Sequence, residues 1–235
     1  MSSIDIIVPV YNEENCLAEN IEKLRQFLIE SMSSYSCRIV IVDNGSIDGT
    51  LAKARELSTL YPEVTLMHLD VKGRGYALRE AWTKNSADIV SYMDVDLSTE
   101  LSNFPRLVSA IDQDGYDIAI GSRHLPSSKV KRSFKRASLS GSYNLLIRAM
   151  FRTPFRDAQC GFKALRREVA NELIPLVKDQ GWLFDTELLI LAEKQGYRIK
   201  EIPVTWTEDI NSTVDILQTV AEAIKCLVRL RKSRL

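Results

Sequence analysis

The sequence predicts an α/β fold in which a mostly parallel sheet is flanked by helices. Short apolar, β-branched runs alternate with longer segments in which apolar residues recur at helical spacing. Runs this apolar are typical of parallel strands that are buried on both faces. A cluster of polar residues follows each of these strands, and in such sheets ligands bind beside the carboxyl ends of the strands. The sequence therefore predicts one site that is built from several strand ends.

Four strands and three helices are expected in the first hundred residues. Strands are predicted over residues 4–10, 38–42, 64–69 and 89–93, and helices over residues 16–28, 51–60 and 76–85. Pro9 falls at the end of the first strand, where a missing backbone N–H is tolerated. No G-x-G-x-x-G follows this strand and no P-loop pattern occurs, which argues against a hydride-transferring dinucleotide fold and against an NTPase.

Two carboxylates one residue apart, Asp94 and Asp96, follow the fourth apolar run. In an extended segment their side chains would point to the same side. Neighbouring carboxylates repel each other unless a cation lies between them, and Mg²⁺ prefers oxygen ligands while leaving positions for substrate phosphates. The pair predicts a metal–diphosphate site. The alternative is an acidic turn in which Asp96 or Ser98 caps the next helix.

Composition limits the partners and the compartment. The chain has 31 basic and 31 acidic residues, so no net field draws it to nucleic acid. Its four cysteines lack metal-type spacing and are expected to be reduced thiols of a cytoplasmic protein. Asp5 interrupts the first apolar segment, so no signal peptide is predicted, and no apolar run is long enough for a membrane-spanning helix.

Three segments together resemble a known family. They are VPVYNEE at residues 8–14, VDNGSIDGT at 42–50 and MDVD at 93–96. In this order and spacing they resemble family 2 of the nucleotide-sugar glycosyltransferases, which are inverting enzymes with a GT-A (Rossmann-like) fold. Three later segments are similar to the polyprenyl-phosphate (dolichyl-phosphate) hexosyltransferases, and most similar to the β-glucosyltransferase type. These are GSR at 121–123, DAQCGFK at 157–163 and WLFDTE at 182–187.

The resemblance covers residues 4–206 and implies one GT-A domain over residues 1–210. Residues 1–100 would form the nucleotide-sugar-binding half and residues 101–210 the acceptor half. Residues 211–235 are predicted to form a C-terminal basic amphipathic helix, because apolar residues recur on one side of it and its end is basic.

For the donor side, the resemblance implies that Pro9, Tyr11 and Glu13 line the nucleoside pocket. It also implies that Asp43 binds the base or the ribose, and a carboxylate does accept hydrogen bonds from an imide N–H or a hydroxyl. The alternative for Asp43 is a turn-forming role in Asp-Asn-Gly. Lys72, in a glycine-rich basic loop, is expected to support the donor pocket.

For the reacting centre, the resemblance implies that Asp94, Asp96 and Gln159 bind Mg²⁺ or Mn²⁺ and, through it, the donor diphosphate. An amide oxygen is a suitable ligand for such an ion. With the ion, Arg123 would neutralise the leaving nucleoside diphosphate. The alternative for Arg123 is an ordinary surface arginine.

Asp157 has two possible roles. It is a general base if the acceptor is a hydroxyl, or a group that orients the acceptor or a basic partner if the acceptor is a phosphate, which is already mostly ionised at neutral pH. A turn or helix cap is the structural alternative. Trp182 and Asp185 are expected to begin a helix, both are candidate substrate contacts, and Asp185 is considered a sugar contact only.

Residues 129–152 carry seven basic side chains and no acidic one, interleaved with apolar residues. This pattern predicts contact with a membrane surface or a lipid-phosphate head group, with ordinary core packing as the alternative. The favoured function is transfer of glucose from UDP-glucose to a polyprenyl monophosphate by a protein peripheral to the cytoplasmic face of a membrane, where a membrane protein is a further possible partner. The alternatives are transfer to a saccharide hydroxyl and non-catalytic nucleotide-sugar binding.

Overall fold

The computed structural model describes residues 1–84, 86–208 and 225–231, without the side chains of residues 134–136 and 139. Its strands are β1 (Ser3–Val10), β2 (Ser36–Asn44), β3 (Val64–Leu69), β4 (Ile89–Met93), β5 (Ile118–Ser122), β6 (Lys129–Lys131), β7 (Phe162–Arg166), β8 (Ile199–Pro203) and β9 (Thr205–Thr207). Its helices are α1 (Leu17–Ser31), α2 (Thr50–Leu60), α3 (Arg74–Thr83), α4 (Phe104–Asp112), α5 (Phe134–Phe151), α6 (Arg167–Leu173) and α7 (Phe184–Lys194).

Seven of these strands form one sheet in the order β3-β2-β1-β4-β7-β5-β8, and β6 pairs with β9 in a separate parallel ribbon. Within the large sheet every pairing is parallel except those of β7, which runs antiparallel to both β4 and β5. The predicted mostly parallel sheet is confirmed. The first three helices begin within two residues of the predicted positions.

Apolar residues of successive strand positions enter two cores, one on each face of the sheet. In β2, Ile39 and Ile41 pack with α1, α2 and α4, whereas Val40 and Val42 pack with α3, α6 and α7. This is why the strands are apolar at consecutive positions rather than at alternate ones. The pairing of β1 with β4 ends at Ile7, so Pro9 lies where β1 pairs only with β2.

The end of the described chain packs against the core that contains α3, α6 and α7. Residues 225–231 are helical, and Leu227 and Leu230 are buried. The Arg229 guanidinium lies 2.6 Å from the Glu187 carboxylate of α7, and Arg231 donates to the Met150 carbonyl of α5. The rest of the predicted helix over 211–235 lies outside the described residues.

None of the helices in the described part of the chain combines the length and the apolarity that a bilayer crossing requires.

Candidate active site

The two carboxylates after β4 lie in a turn rather than in an extended segment. The backbone N–H of Leu97 donates to the Asp94 carbonyl at 3.2 Å, and Leu97 has φ 50°. The prediction that Asp94 and Asp96 point to the same side of an extended strand is therefore wrong, because β4 already ends at Met93. Asp96 is exposed and its Oδ1 accepts the Ser98 N–H at 2.9 Å, so it caps this turn, and no helix begins there.

The Asp94 carboxylate lies directly against the backbone of Gly161. The Asp94 N–H donates to the Gly161 carbonyl at 3.2 Å, and a Cβ added at position 161 would lie 1.7 Å from Asp94 Oδ2. Only glycine leaves room for the carboxylate here. Because Gly161 follows Gln159 by two residues, this contact brings the Asp-x-Gln segment to the Asp94 turn.

The donor atoms at this turn suit a hard divalent cation. Asp94, Asp96 and Gln159 offer carboxylate and amide oxygens, the ligand types that Mg²⁺ and Mn²⁺ prefer. In the described residues, no three His, Cys, Asp or Glu side chains are grouped closely enough to hold a metal by themselves. Binding of a metal ion by Asp94, Asp96 and Gln159 therefore stays a prediction.

Arg74, at the start of α3, connects this turn with Asp185 in α7. Its Nη2 lies 2.7 Å from Asp94 Oδ1 and its Nη1 lies 3.0 Å from Asp185 Oδ2. The guanidinium lies 5.3 Å from the centre of the Tyr92 ring and 5.2 Å from that of Trp182. Burial alone would lower the pKa of Arg74, but Asp94, Tyr92 and Asp185 raise it well above the ordinary value. Arg74 is thus a permanent positive charge beside Asp94.

Asp185 is fully buried in the first turn of α7, where the helix N-terminus favours a carboxylate. Besides Arg74, it accepts the Tyr92 hydroxyl and lies 3.1 Å from the buried Lys163 ammonium. Lys163 also donates to the Cys160 carbonyl at 2.6 Å. A carboxylate enclosed by three protein groups holds Arg74 in place, and this geometry does not support the predicted sugar contact of Asp185.

Arg123 and Asp157 form a closed ion pair. The backbone N–H, Nε and Nη2 of Arg123 donate to the Asp157 carboxylate at 2.9, 2.8 and 2.9 Å. Burial alone would raise the pKa of Asp157, but the charge and hydrogen bonds of Arg123 lower it to about 2. A carboxylate with such a pKa is a weak base near neutral pH. The structure therefore favours the orienting role of Asp157 over the general-base role.

Polar side chains also meet at the ends of β1, β2 and β3. The Lys72 ammonium lies 3.8 Å from the centre of the Tyr11 ring, and the Asn44 Oδ1 accepts the Gly73 N–H at 2.8 Å. The Asp43 carboxylate is fully buried, with Oδ2 2.7 Å from His68 Nδ1 and with no hydrogen-bond partner at Oδ1 in the structure. An acceptor left in this state requires a donor from a ligand or water.

Hydrogen bonds of Glu13 and Glu14 connect the loop after β1 with the segment that follows β2. The Glu13 N–H donates to Thr50 Oγ1 at 2.8 Å, and the Glu13 carboxylate accepts the Cys16 thiol at 3.2 Å. The Glu14 carboxylate accepts the Gly49 N–H at 3.0 Å, at the start of α2. Contacts of Pro9, Tyr11 and Glu13 with a nucleoside remain predictions.

The structure adds three residues to those that the sequence singled out. Arg74 and Lys163 were visible only as parts of motifs, because their partners in β4 and α7 are distant in sequence. His68 could have been found, since a polar residue at the end of the third strand is the neighbour of Asp43 in the β2–β3 register. Trp182, 44% exposed and beside Arg74, remains a candidate substrate contact.

The family model described as "Glycosyl transferase family 2" matches residues 5–174, which include the Asp94 turn, Arg74, Arg123 and Gln159. The chain belongs to glycosyl transferase family 2. It is therefore a glycosyltransferase, and the resemblance seen in the sequence is confirmed.

Relatives of this family 2 glycosyltransferase cover most of its length. It is 31% identical to the dolichyl-phosphate beta-glucosyltransferase of Dictyostelium discoideum, over 97% of this chain and 73% of the relative. It is 33% identical to the polyprenol monophosphomannose synthase of Mycolicibacterium smegmatis, over 86% of this chain and 77% of that protein. Glycosyltransferase AglD of Haloferax volcanii is 33% identical over 92% of this chain, which spans only 35% of that protein's length.

The fold is similar to that of solved structures. Glucosyl-3-phosphoglycerate synthase from Mycobacterium tuberculosis, in a complex with UDP, superposes with a TM-score of 0.73. The superposition covers 98% of this chain and 80% of that chain at 18% identity. The GT-A fold expected from the resemblance is thus confirmed.

Proposed function

We propose that this glycosyltransferase moves glucose from UDP-glucose to a polyprenyl monophosphate in one in-line displacement at C1, with inversion. The bond between C1 and the diphosphate oxygen breaks, a bond from C1 to the acceptor phosphate oxygen forms, and UDP leaves. The names of the dolichyl-phosphate and polyprenol relatives support this class of acceptor.

The Arg123–Asp157 pair is the observation that carries the choice of acceptor. A hydroxyl acceptor must lose a proton to a base, whereas a phosphate monoester is mostly ionised at neutral pH because its second pKa is about 6. Asp157, with a pKa of about 2, is poorly suited to remove that proton. A phosphate acceptor needs no such step.

On the donor side, Asp94, Asp96 and Gln159 would hold Mg²⁺ or Mn²⁺, which supplies charge stabilisation for the diphosphate. Mn²⁺ is present with UDP in a complex of the structurally similar synthase. Arg74 keeps a positive charge at the same turn, 2.7 Å from Asp94. Pro9, Tyr11, Glu13, Asp43 and Lys72 would surround the nucleoside.

Arg123, held by Asp157, would neutralise the leaving nucleoside diphosphate, and Arg132 would serve the acceptor phosphate. Burial, followed by the positive charge of Arg123, lowers the pKa of Arg132, while Asp157 and Glu208 act in the opposite direction. A bound phosphate dianion would relieve the repulsion between Arg123 and Arg132. On the outer side of α5, Leu145 and Leu146 are exposed beside Arg148. This surface supports peripheral contact with an anionic membrane, in our proposal at the cytoplasmic face.

Purified protein would be incubated with Mn²⁺, a polyprenyl phosphate and either labelled UDP-glucose or labelled GDP-mannose. We expect label from UDP-glucose in the organic extract, and we expect Asp96→Ala to lower its rate of appearance by about 10²–10³. Lipid label from GDP-mannose alone would correct the donor. Absence of lipid product from protein that binds a nucleoside diphosphate would refute the polyprenyl-phosphate acceptor.

A further inference from the structure

We propose that His68 is a positioning residue for base recognition, which holds the Asp43 carboxylate so that its second oxygen faces an N–H of the donor base. The inference rests on the proposed function, since it deepens the account of the nucleoside pocket. His68 touches Asp43 and is not placed in contact with the substrate.

The β2–β3 register puts the two side chains together. Asp43 and His68 are partners in the parallel pairing of β2 with β3, one residue before β2 ends at Asn44. His68 Nδ1 lies 2.7 Å from Asp43 Oδ2, whereas Nε2 lies 3.3 Å from the exposed Asp70 carboxylate. This arrangement requires that Nδ1–H donates to Asp43, because a carboxylate oxygen only accepts.

The other oxygen of Asp43 explains why its orientation matters. Asp43 is completely buried, and Oδ1 has no partner in the structure. A buried acceptor without a donor costs free energy, which a ligand N–H at that point would recover. With Oδ2 fixed by His68, the carboxylate cannot turn to offer the bonded oxygen instead.

This geometry selects bases by hydrogen-bond type. Uracil and guanine each present a ring N–H that can donate to Oδ1, whereas N3 of cytosine and N1 of adenine are acceptors, so that these two bases offer only an exocyclic amino N–H. A ring acceptor placed opposite Oδ1 would leave both groups unpaired, so a base in the position of uracil is selected by its ring N–H. His68 would therefore contribute to base selectivity through Asp43.

The test compares UDP with its N3-methyl analogue, which lacks the donor, by calorimetric titration in the presence of Mn²⁺. We expect wild-type protein to bind UDP about tenfold or more tightly than the analogue, equivalent to about 1.4 kcal/mol. In His68→Leu, which keeps bulk but cannot donate, this ratio should fall below about threefold. His68→Asn retains an N–H near the position of Nδ1 and should restore most of the discrimination.

The ratio separates positioning from stability. Thr65→Ala, on the same strand, is the matched control, and its discrimination should equal that of the wild type. If His68→Leu weakens UDP and the analogue equally, so that the ratio is unchanged, the inference is overturned while the proposed donor stands. If wild-type protein binds GDP and not UDP, the same comparison is made with N1-methyl GDP. If it binds neither nucleotide, the proposed function itself fails, and the inference fails with it.

Discussion

At the scale of single residues, the structure separates carboxylates that hold other groups in place from carboxylates that a ligand can reach. Asp157 and Asp185 are acidic residues of family motifs, and both are completely buried against cations. Asp94 and Asp96 instead lie in a turn that reaches the surface. The difference follows from position, since a carboxylate inside the fold must be paired whereas one at a strand end can meet a ligand.

Asp157 predicts a specific acid dependence of stability. Its pKa is about 2 in the folded protein and about 3.9 in an unfolded chain, so the native state is favoured by about 2.5 kcal/mol when both are ionised. This contribution is complete above about pH 5 and is lost as the pH falls towards 2. We expect the difference in unfolding free energy between wild type and Asp157→Asn to shrink between pH 5 and pH 2.5 in urea titrations.

The exposed Asp114 is the control for this experiment, and Asp114→Asn should differ little from wild type at either pH. A difference for Asp157→Asn that stays constant down to pH 2.5 would contradict the low pKa. At neutral pH the same variant should cost about 3–5 kcal/mol, because Arg123 keeps a buried charge without its partner.

Gly161 gives a second residue-scale prediction. In Gly161→Ala the new methyl group would overlap the Asp94 carboxylate, which must move. We expect the affinity for Mn²⁺ in the presence of UDP to fall about 10–100-fold, the range found when groups supporting metal ligands are changed. Mn²⁺ electron paramagnetic resonance measures this directly. Gly141→Ala is the control, because a Cβ there would meet nothing within 4 Å, and it should bind Mn²⁺ as tightly as the wild type. Equal affinity of the two variants would contradict the role of Gly161 in making room for the Asp94 carboxylate.

At the scale of elements, four of them meet at Asp185: α7 carries it, and α3, β4 and β7 supply Arg74, Tyr92 and Lys163. Asp185→Asn should destabilise the fold by about 3–5 kcal/mol, because the buried Lys163 and the partly buried Arg74 lose a counter-charge. Adding Lys163→Met should cost less than the sum of the single changes by about 1–3 kcal/mol. Denaturant unfolding of the four proteins measures this coupling, and simple additivity would show that the pair is independent.

The sequence predicted β1 to β4 well because each is a local apolar run bounded by polar turns. It did not predict β7, which contains Lys163 and pairs with strands about 45 and 70 residues away. A charged residue inside a strand looks exposed until its partner, Asp185, is placed beside it. For the candidate site, the motifs at the strand ends could be recognised in the sequence. Contacts between distant segments, such as Arg74 with Asp94, could not.

At the scale of the whole molecule, the helices on the two faces of the sheet are expected to differ in their affinity for membranes. We expect Leu145→Ser with Leu146→Ser to weaken binding to anionic vesicles about tenfold, because half-exposed leucines on α5 lose apolar area that lipid would cover. Vesicle co-sedimentation measures the change. Ile29→Ser, at an exposed apolar position on α1 across the sheet, is the control, and equal weakening by both would contradict a preferred face.

The place of β7 in the sheet sets the order in which the protein can assemble during synthesis. β4 and β5 lie on either side of β7 and do not pair with each other, so β4 presents an unpaired edge until residues 162–166 have left the ribosome. Such an edge is open to pairing with other chains. A fragment that stops before β7 should therefore aggregate, although it contains the Asp94 turn. We expect a chain interrupted after residue 100 to keep β4 as an unpaired edge, because the strand that covers it has not been made.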